Sequence, residues 1–216
     1  VTSSCTIGLS TVEELAAKVG ELRTNPVIKV KSDARADLEP LRYIRARTAA
    51  KLIVDANGAW GGIEAAVLTP ELARLGVVLI EQPLPPGGIA NMPAFLEASV
   101  LPVMADESCV VEQDVEKIPG HFSGFNIKLV KCGGLTPALR MLRRGRELGL
   151  QVMVGCMLES SVLIAAGAVI GQQTDFADLD GSWLLRDDPF TGLHFANGIL
   201  TPSTAPGLGV TGNWPA

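Results

Sequence analysis

Three acids carry the first chemical signal in this sequence. Asp55 lies in LIVDAN (52–57), Glu81 ends VVLIE (77–81), and Asp106 ends VMAD (103–106). Each closes a short apolar run, the pattern of a buried parallel strand whose C-terminal tip emerges into a site. The acids stand about 25 residues apart, the length of one strand-plus-helix unit. A single acid so placed reads as a helix cap. Three in phase read as an oxygen-rich site for one hard divalent cation. Asn57 and Glu107, next to two of these acids, are assigned to supporting the ligands.

Lysines supply the second signal. Lys29 and Lys31 flank Val30 in VIKVK, and a period of two puts both ammonium groups on one inward face. Buried lysines without partners are costly, so the pair either has a function or snorkels to the rim. Lys128 lies within NIKLVKCGG, with Lys131 placed at the strand end. In a closed eight-stranded barrel, strands two and six are opposite, and the acid-bearing strands three to five span the arc between them. A substrate held at the acids would then have a lysine on each side. A cation on Asp55, Glu81 and Asp106 can bind a substrate carboxylate and stabilise the enediolate left when the α-proton departs. Lys31 and Lys128 would then be the acid/base pair, and as bases they would need pKa values lowered toward neutrality by the cation, by Lys29 and by desolvation. Removing a proton on one face and returning it on the other inverts the stereocentre.

The elements that must position these groups alternate. Strands are predicted at 2–8, 27–31, 52–57, 77–82, 102–107, 124–130, 151–157 and 176–180, with helical spacing between them. Ser10 followed by Glu13 is a capping-box pattern for a first helix over 11–23. Pro70 should bend or split the helix at 63–75, and a small hairpin is expected around 196–198. Eight strands alternating with helices give an α/β parallel sheet. A doubly wound sheet would want a glycine-rich phosphate turn after its first strand, and Gly8 alone does not supply one.

Composition narrows the class. The chain has 216 residues, 47% hydrophobic and 19% charged, close to the lower size of an eight-stranded barrel. A net charge of −5 without a basic run argues against nucleic acid as a partner. The most apolar region, 152–170, contains Glu159 and two serines, so no membrane span is expected. Four scattered cysteines without a CxxC pair suit a reduced, cytoplasmic setting. His121 and His194 sit at no strand tip, which leaves the acid/base work to lysine. Trp60, Trp183 and Trp214 read as packing or rim residues.

The motifs KVK, VDAN, EQPLP, ADES and NIKLVKCGGL occur in the order and spacing of a known family. With them the sequence resembles the enolase superfamily, in its muconate-lactonising-like branch. GCMLESS (155–161) and DLD (178–180) look most like the dipeptide epimerases of the L-Ala-D/L-Glu type. The resemblance implies a (β/α)7β TIM-like barrel with one Mg2+ on Asp55, Glu81 and Asp106, and with Lys31 and Lys128 as catalytic bases. It places Lys29, Cys156, Glu159, Asp178 and Asp180 around the substrate, the two DxD acids holding the α-ammonium of a dipeptide. Two carboxylates on one inward face do make a cation site, although a solvated strand end with a turn has the same pattern. Cys156 faces the mouth as a wall or as a packed thiol, and Glu159 either touches substrate or caps the following helix.

The implied activity is that of an isomerase. A dipeptide is epimerised by two-base 1,1-proton transfer through a metal-stabilised enediolate. N-acylamino acid racemase, o-succinylbenzoate synthase and muconate cycloisomerase are the alternatives within the branch, and their substrates lack the free α-ammonium that DxD would hold. Outside it stand a lysine Schiff-base aldolase, which the acid triad opposes, and an inactive barrel fragment. The family's N-terminal α+β capping domain has no counterpart in residues 1–216, which read as the C-terminal barrel domain alone. Activity is therefore expected to require the lid. Ser32–Asp33 also follow the KxK pair where a glycine is common. The outer helices are left free for homo-oligomer contacts.

Overall fold

Successive apolar runs place eight parallel strands side by side in sequence order. The structure, a computed structural model, describes residues 1–212. The strands are β1 (Cys5–Ile7), β2 (Val27–Lys31), β3 (Lys51–Asp55), β4 (Val77–Glu81), β5 (Val103–Ala105), β6 (Gly124–Lys128), β7 (Gln151–Gly155) and β8 (Phe176–Asp178). Helices α1 (Val12–Glu21), α2 (Glu39–Arg45), α3 (Thr69–Arg74), α4 (Met92–Ala98), α5 (Leu129–Cys132), α6 (Leu135–Glu147) and α7 (Ser161–Gly171) lie in the connections. They bury a large apolar layer, including Leu72, Phe95 and Ile164, against the outer face of the sheet.

Local chemistry moves several boundaries. The capping box is Thr11 with Glu14, one residue later than expected: Thr11 N–H donates to Glu14 Oε2 at 2.9 Å and Glu14 N–H to Thr11 Oγ1 at 3.3 Å. Ser10 instead donates to Gly8 O at 2.9 Å. Pro70 splits its helix into a 3-10 stretch, Ile63–Leu68, and α3. Strand β6 stops at Lys128, and one helical turn, α5, carries Lys131. The hairpin forms as expected, with β10 (His194–Ala196) against β11 (Ile199–Thr201). Asn197 and Gly198 both have positive φ, 52° and 70°, the pairing that tight hairpin turns require. A second short pair joins β9 (Phe190–Thr191) to β12 (Thr211–Gly212). Trp214 falls outside the described residues.

Inside the barrel, Ile53, Leu79, Met104 and Met153 form a cluster of their own, with Phe176 packed on it. Two residues further along the same strand faces stand Asp55, Glu81, Asp106, Gly155 and Asp178. The period of two thus carries five strands from an apolar floor to a polar mouth. Each fully buried floor side chain contributes about 1.5–3 kcal/mol.

The barrel is nearly closed at the seam between β1 and β8, where side chains do most of the bridging. Ser4 N–H donates to Ala177 O at 2.8 Å, and no continuous ladder joins the two strands. Leu179 N–H donates to Ser3 Oγ at 2.7 Å, Thr6 N–H to Asp180 Oδ2 at 2.7 Å, and Ser4 Oγ to Asp178 Oδ1 at 2.6 Å. Both serines are fully buried. Ser3→Ala leaves the Leu179 N–H without an acceptor, which should cost about 1–3 kcal/mol in urea denaturation, with the loss in the midpoint and not in the slope.

Candidate active site

Strand register sets the levels at which the mouth residues stand. Lys31 is opposite Asp55, and Asp55 is opposite Glu81. Across the barrel, Lys128 is opposite Gly155, and Gly155 is opposite Asp178. Lys29 lies two residues below Lys31, opposite Thr6 and Ile53. Its ammonium sits at the centre: Nζ is 2.6 Å from Asp178 Oδ2, 3.0 Å from Asp55 Oδ2 and 3.0 Å from Glu81 Oε2. Lys31 Nζ donates to Asp55 Oδ2 at 2.6 Å and to Asn57 Oδ1 at 2.8 Å. On the far side, Lys128 Nζ donates to Asp106 Oδ2 at 2.7 Å and Lys131 Nζ to Asp106 Oδ1 at 2.8 Å.

This charge pattern sets the protonation states. Burial opposes the charge on Lys29, but Asp178, Glu81 and Asp55 overcome it and hold the pKa well above the usual lysine range. Burial pushes Asp55 up, and Lys29 with Lys31 reverses that to about 2. Glu81 is pushed up to about 7 by burial and by Asp55, Asp106 and Asp178, against the pull of Lys29. Lys128 is also raised: burial is outweighed by Asp106 and Glu81. Carboxylates thus dominate the surroundings of Lys128.

The three acids of the predicted metal site are engaged by ammonium groups. Asp55 and Glu81 converge on one ammonium, and Asp106 is near enough to raise Glu81, yet among the described residues no three acid, histidine or cysteine side chains are gathered as a metal cage. The ammonium groups of Lys29, Lys128 and Lys131 take the carboxylate charge instead. The donor chemistry still fits a hard cation. All donors are carboxylate oxygens, and buried Glu81 Oε2 has no hydrogen-bond partner, only the ion pair with Lys29.

Other predicted residues divide. Asp178 spends both oxygens on Ser4 and Lys29. Asp180 accepts from Thr6 N–H and borders a mouth cavity of about 250 Å3 together with Lys31, Lys128, Cys156 and Met157. Cys156 Sγ lies 4.0 Å from Asp180 Oδ1, and burial beside Asp178 and Asp180 drives its thiol pKa up, which suits a wall and not a nucleophile. Glu159 accepts from Met157 N–H at 2.9 Å within its own loop. The helix it was expected to cap, α7, is capped by Asp188, which receives both Ser161 N–H and Ser161 Oγ. Asn57 Nδ2 donates to Glu107 Oε1 at 3.1 Å.

Two contributors were not singled out in the sequence. Asn126 Nδ2 donates to Glu81 Oε1 at 2.8 Å, and its place two residues before Lys128 was the available signal. Gly155 makes room for it, since a Cβ there would meet the Asn126 amide at 2.6 Å. Gln82 is the other, buried directly after Glu81.

A profile described as "Enolase C-terminal domain-like" matches residues 11–216. The chain belongs to this family. It is 45% identical over 213 residues to an L-Ala-D/L-amino acid epimerase of Maribacter sp., covering 98% of this chain and 63% of that protein. The L-Ala-D/L-Glu epimerase of Bacillus subtilis, solved as a substrate-liganded complex, superposes with TM-score 0.90 at 29% identity, over 98% of this chain and 63% of that one. The dipeptide epimerase of Methylococcus capsulatus, complexed with Mg and the dipeptide L-Arg-D-Lys, gives TM-score 0.86 at 33% identity, over 97% and 63%. The chain spans about three fifths of the length of the curated relatives it matches. Among the described residues of this family member, no helix is long and apolar enough to cross a membrane.

Asp180 generates a stability prediction. Burial and Asp178 raise its carboxyl from 3.8 to about 6. An acid whose folded pKa exceeds its unfolded value binds its proton more tightly when folded, so stability falls as pH rises from about 4 to about 6. Above that window the charged form is a net cost. Asp180→Asn keeps an oxygen for Thr6 N–H and removes the charge, so at pH 7 it should stabilise the fold by roughly 1–3 kcal/mol. The gain should vanish at pH 4, both read from urea midpoints.

Proposed function

We propose that this chain is the barrel portion of a Mg2+-dependent dipeptide epimerase working by two-base 1,1-proton transfer. One observation carries the reading: Lys31 and Lys128 reach the same mouth from β2 and β6, on opposite sides of the acids of β3 to β5. The relatives support it, since similar proteins are named epimerases and one was crystallised with Mg and a dipeptide.

Bound at Asp55, Glu81 and Asp106, Mg2+ would supply positive charge to the substrate carboxylate as the α-proton leaves and take up carboxylate charge now spent on lysines. The chain's own residues do the rest. Lys31 removes the α-proton from one face, and Lys128 returns a proton to the other; the reverse reaction exchanges the roles. Asn57 orients Lys31 through the 2.8 Å contact to its Oδ1. Asp180, with one oxygen not committed to a close donor, is the better placed DxD acid for a substrate ammonium; Asp178 steadies Lys29. Met157, Leu158 and Leu184 offer apolar surface at the rim for substrate side chains.

Deuterium exchange on the full-length protein tests this. With Lys31→Ala, epimerisation should fall by at least ~10²-fold while one isomer still exchanges its α-proton with D2O, and with Lys128→Ala the other isomer should exchange. Proton NMR of each isomer reads the outcome. Equal exchange of both isomers by each variant would rule out the two-base assignment. N-acetylated substrates turned over as well as free dipeptides would favour an N-acylamino acid racemase.

A further inference from the structure

We propose that Gln82 is a positioning residue that sets the spacing of the three acids, and through it the affinity of the site for a divalent cation. This rests on the reading of Asp55, Glu81 and Asp106 as the cation ligands. Those acids are not all placed by the sheet. The β3–β4 ladder reaches Asp55 opposite Glu81, but the β4–β5 ladder ends with Glu81 opposite Met104, so Asp106 lies beyond the last paired residue. Gln82 supplies the missing bonds. Its side-chain Oε1 accepts from Asp106 N–H at 2.9 Å and from Ser108 N–H at 3.1 Å. Its Nε2 donates to Leu84 O at 2.7 Å and to Ser108 Oγ at 2.8 Å. Its backbone reaches both neighbouring strands: Gln82 N–H donates to Met104 O at 2.8 Å, and Gly58 N–H donates to Gln82 O at 2.7 Å.

One fully buried residue thus joins the tips of β3, β4 and β5, each bearing one acid. Its φ is +39°, in the left-handed region that non-glycine residues rarely adopt and that persists only where surrounding bonds over-determine it. The side-chain amide is satisfied at both donors and shares its oxygen between two backbone N–H groups. An apolar side chain of similar length would fill the space and release the Asp106 loop. Residues that orient cation ligands typically change metal affinity by ~10–100-fold when removed.

The test uses Mn2+ as the probe on the full-length protein, titrated by electron paramagnetic resonance, beside thermal melts without metal. Gln82→Met should weaken Mn2+ binding by ~10-fold or more. A packing variant remote from the mouth, Phe95→Leu, adjusted in temperature to the same distance below its melting point, should leave the Mn2+ affinity within ~2-fold. Unchanged affinity in Gln82→Met overturns the proposal, and so does equal weakening in Phe95→Leu, which would make the effect one of stability. If Gln82→Met does not fold, Ser108→Ala removes one anchor of the amide and should weaken binding several-fold; no change there also overturns it. Absence of Mn2+ binding by the unsubstituted protein, or binding unaffected by Asp55→Asn, would instead remove the ligand reading itself, and this proposal with it.

Discussion

Charge compensation in the barrel mouth is the constraint on which the rest of the structure depends. Five carboxylates, Asp55, Glu81, Asp106, Asp178 and Asp180, are nearly or fully buried there. Facing them are the ammonium groups of Lys29, Lys31, Lys128 and Lys131. Isolated charges at this depth would each cost several kcal/mol of solvation, about what makes buried ions neutralise or pair. Lys29 meets most of that demand by touching three acids at once. The remaining imbalance shows at Glu81 and Asp180, whose pKa values rise to about 7 and about 6. Such a mouth holds an excess of negative charge unless protons or a cation enter it.

The barrel exists to hold that balance in a fixed geometry. An apolar floor of Ile53, Leu79, Met104 and Met153 pins the strands two residues below the acids. A slip of one residue in any strand would turn its acid outward and its neighbour inward. Where ladders are too short to reach the acids, polar side chains take over. Gln82 holds the Asp106 loop, Asn126 holds Glu81, and Ser3 and Ser4 close the β1–β8 seam. Each is buried and makes at least one side-chain hydrogen bond.

How much of this was legible follows from the distance over which each feature is determined. Period-two patterning is local, so VIKVK was read with the bounds the strand has, and both its lysines do point inward. Apolar runs ending in acids likewise located the tips of β3 and β4. Helix starts were less legible: the sequence was read as a Ser10–Glu13 capping box, and backbone geometry put the box one residue later, at Thr11 and Glu14. Partners across the barrel were out of reach. Nothing near Lys29 in the chain announces Asp178, which is 149 residues away, and nothing near Ser4 announces the same acid. Gln82 was visible inside EQPLP, but its role depends on a left-handed turn and on the shortness of β5, both products of tertiary packing.

Lys128 shows how cation binding and base chemistry are tied together in such a site. Its pKa is raised because Asp106 and Glu81 outweigh burial. Those are two of the three acids assigned to the cation. On the proposed reading, charge committed to a cation is charge withdrawn from Lys128, so the burial that already favours a neutral amine then prevails. The same step leaves Lys131, which shares Asp106 with it, as a further positive neighbour. On that reading, a carboxylate set shared by lysines and metal would tie the competence of the base to the presence of the cation.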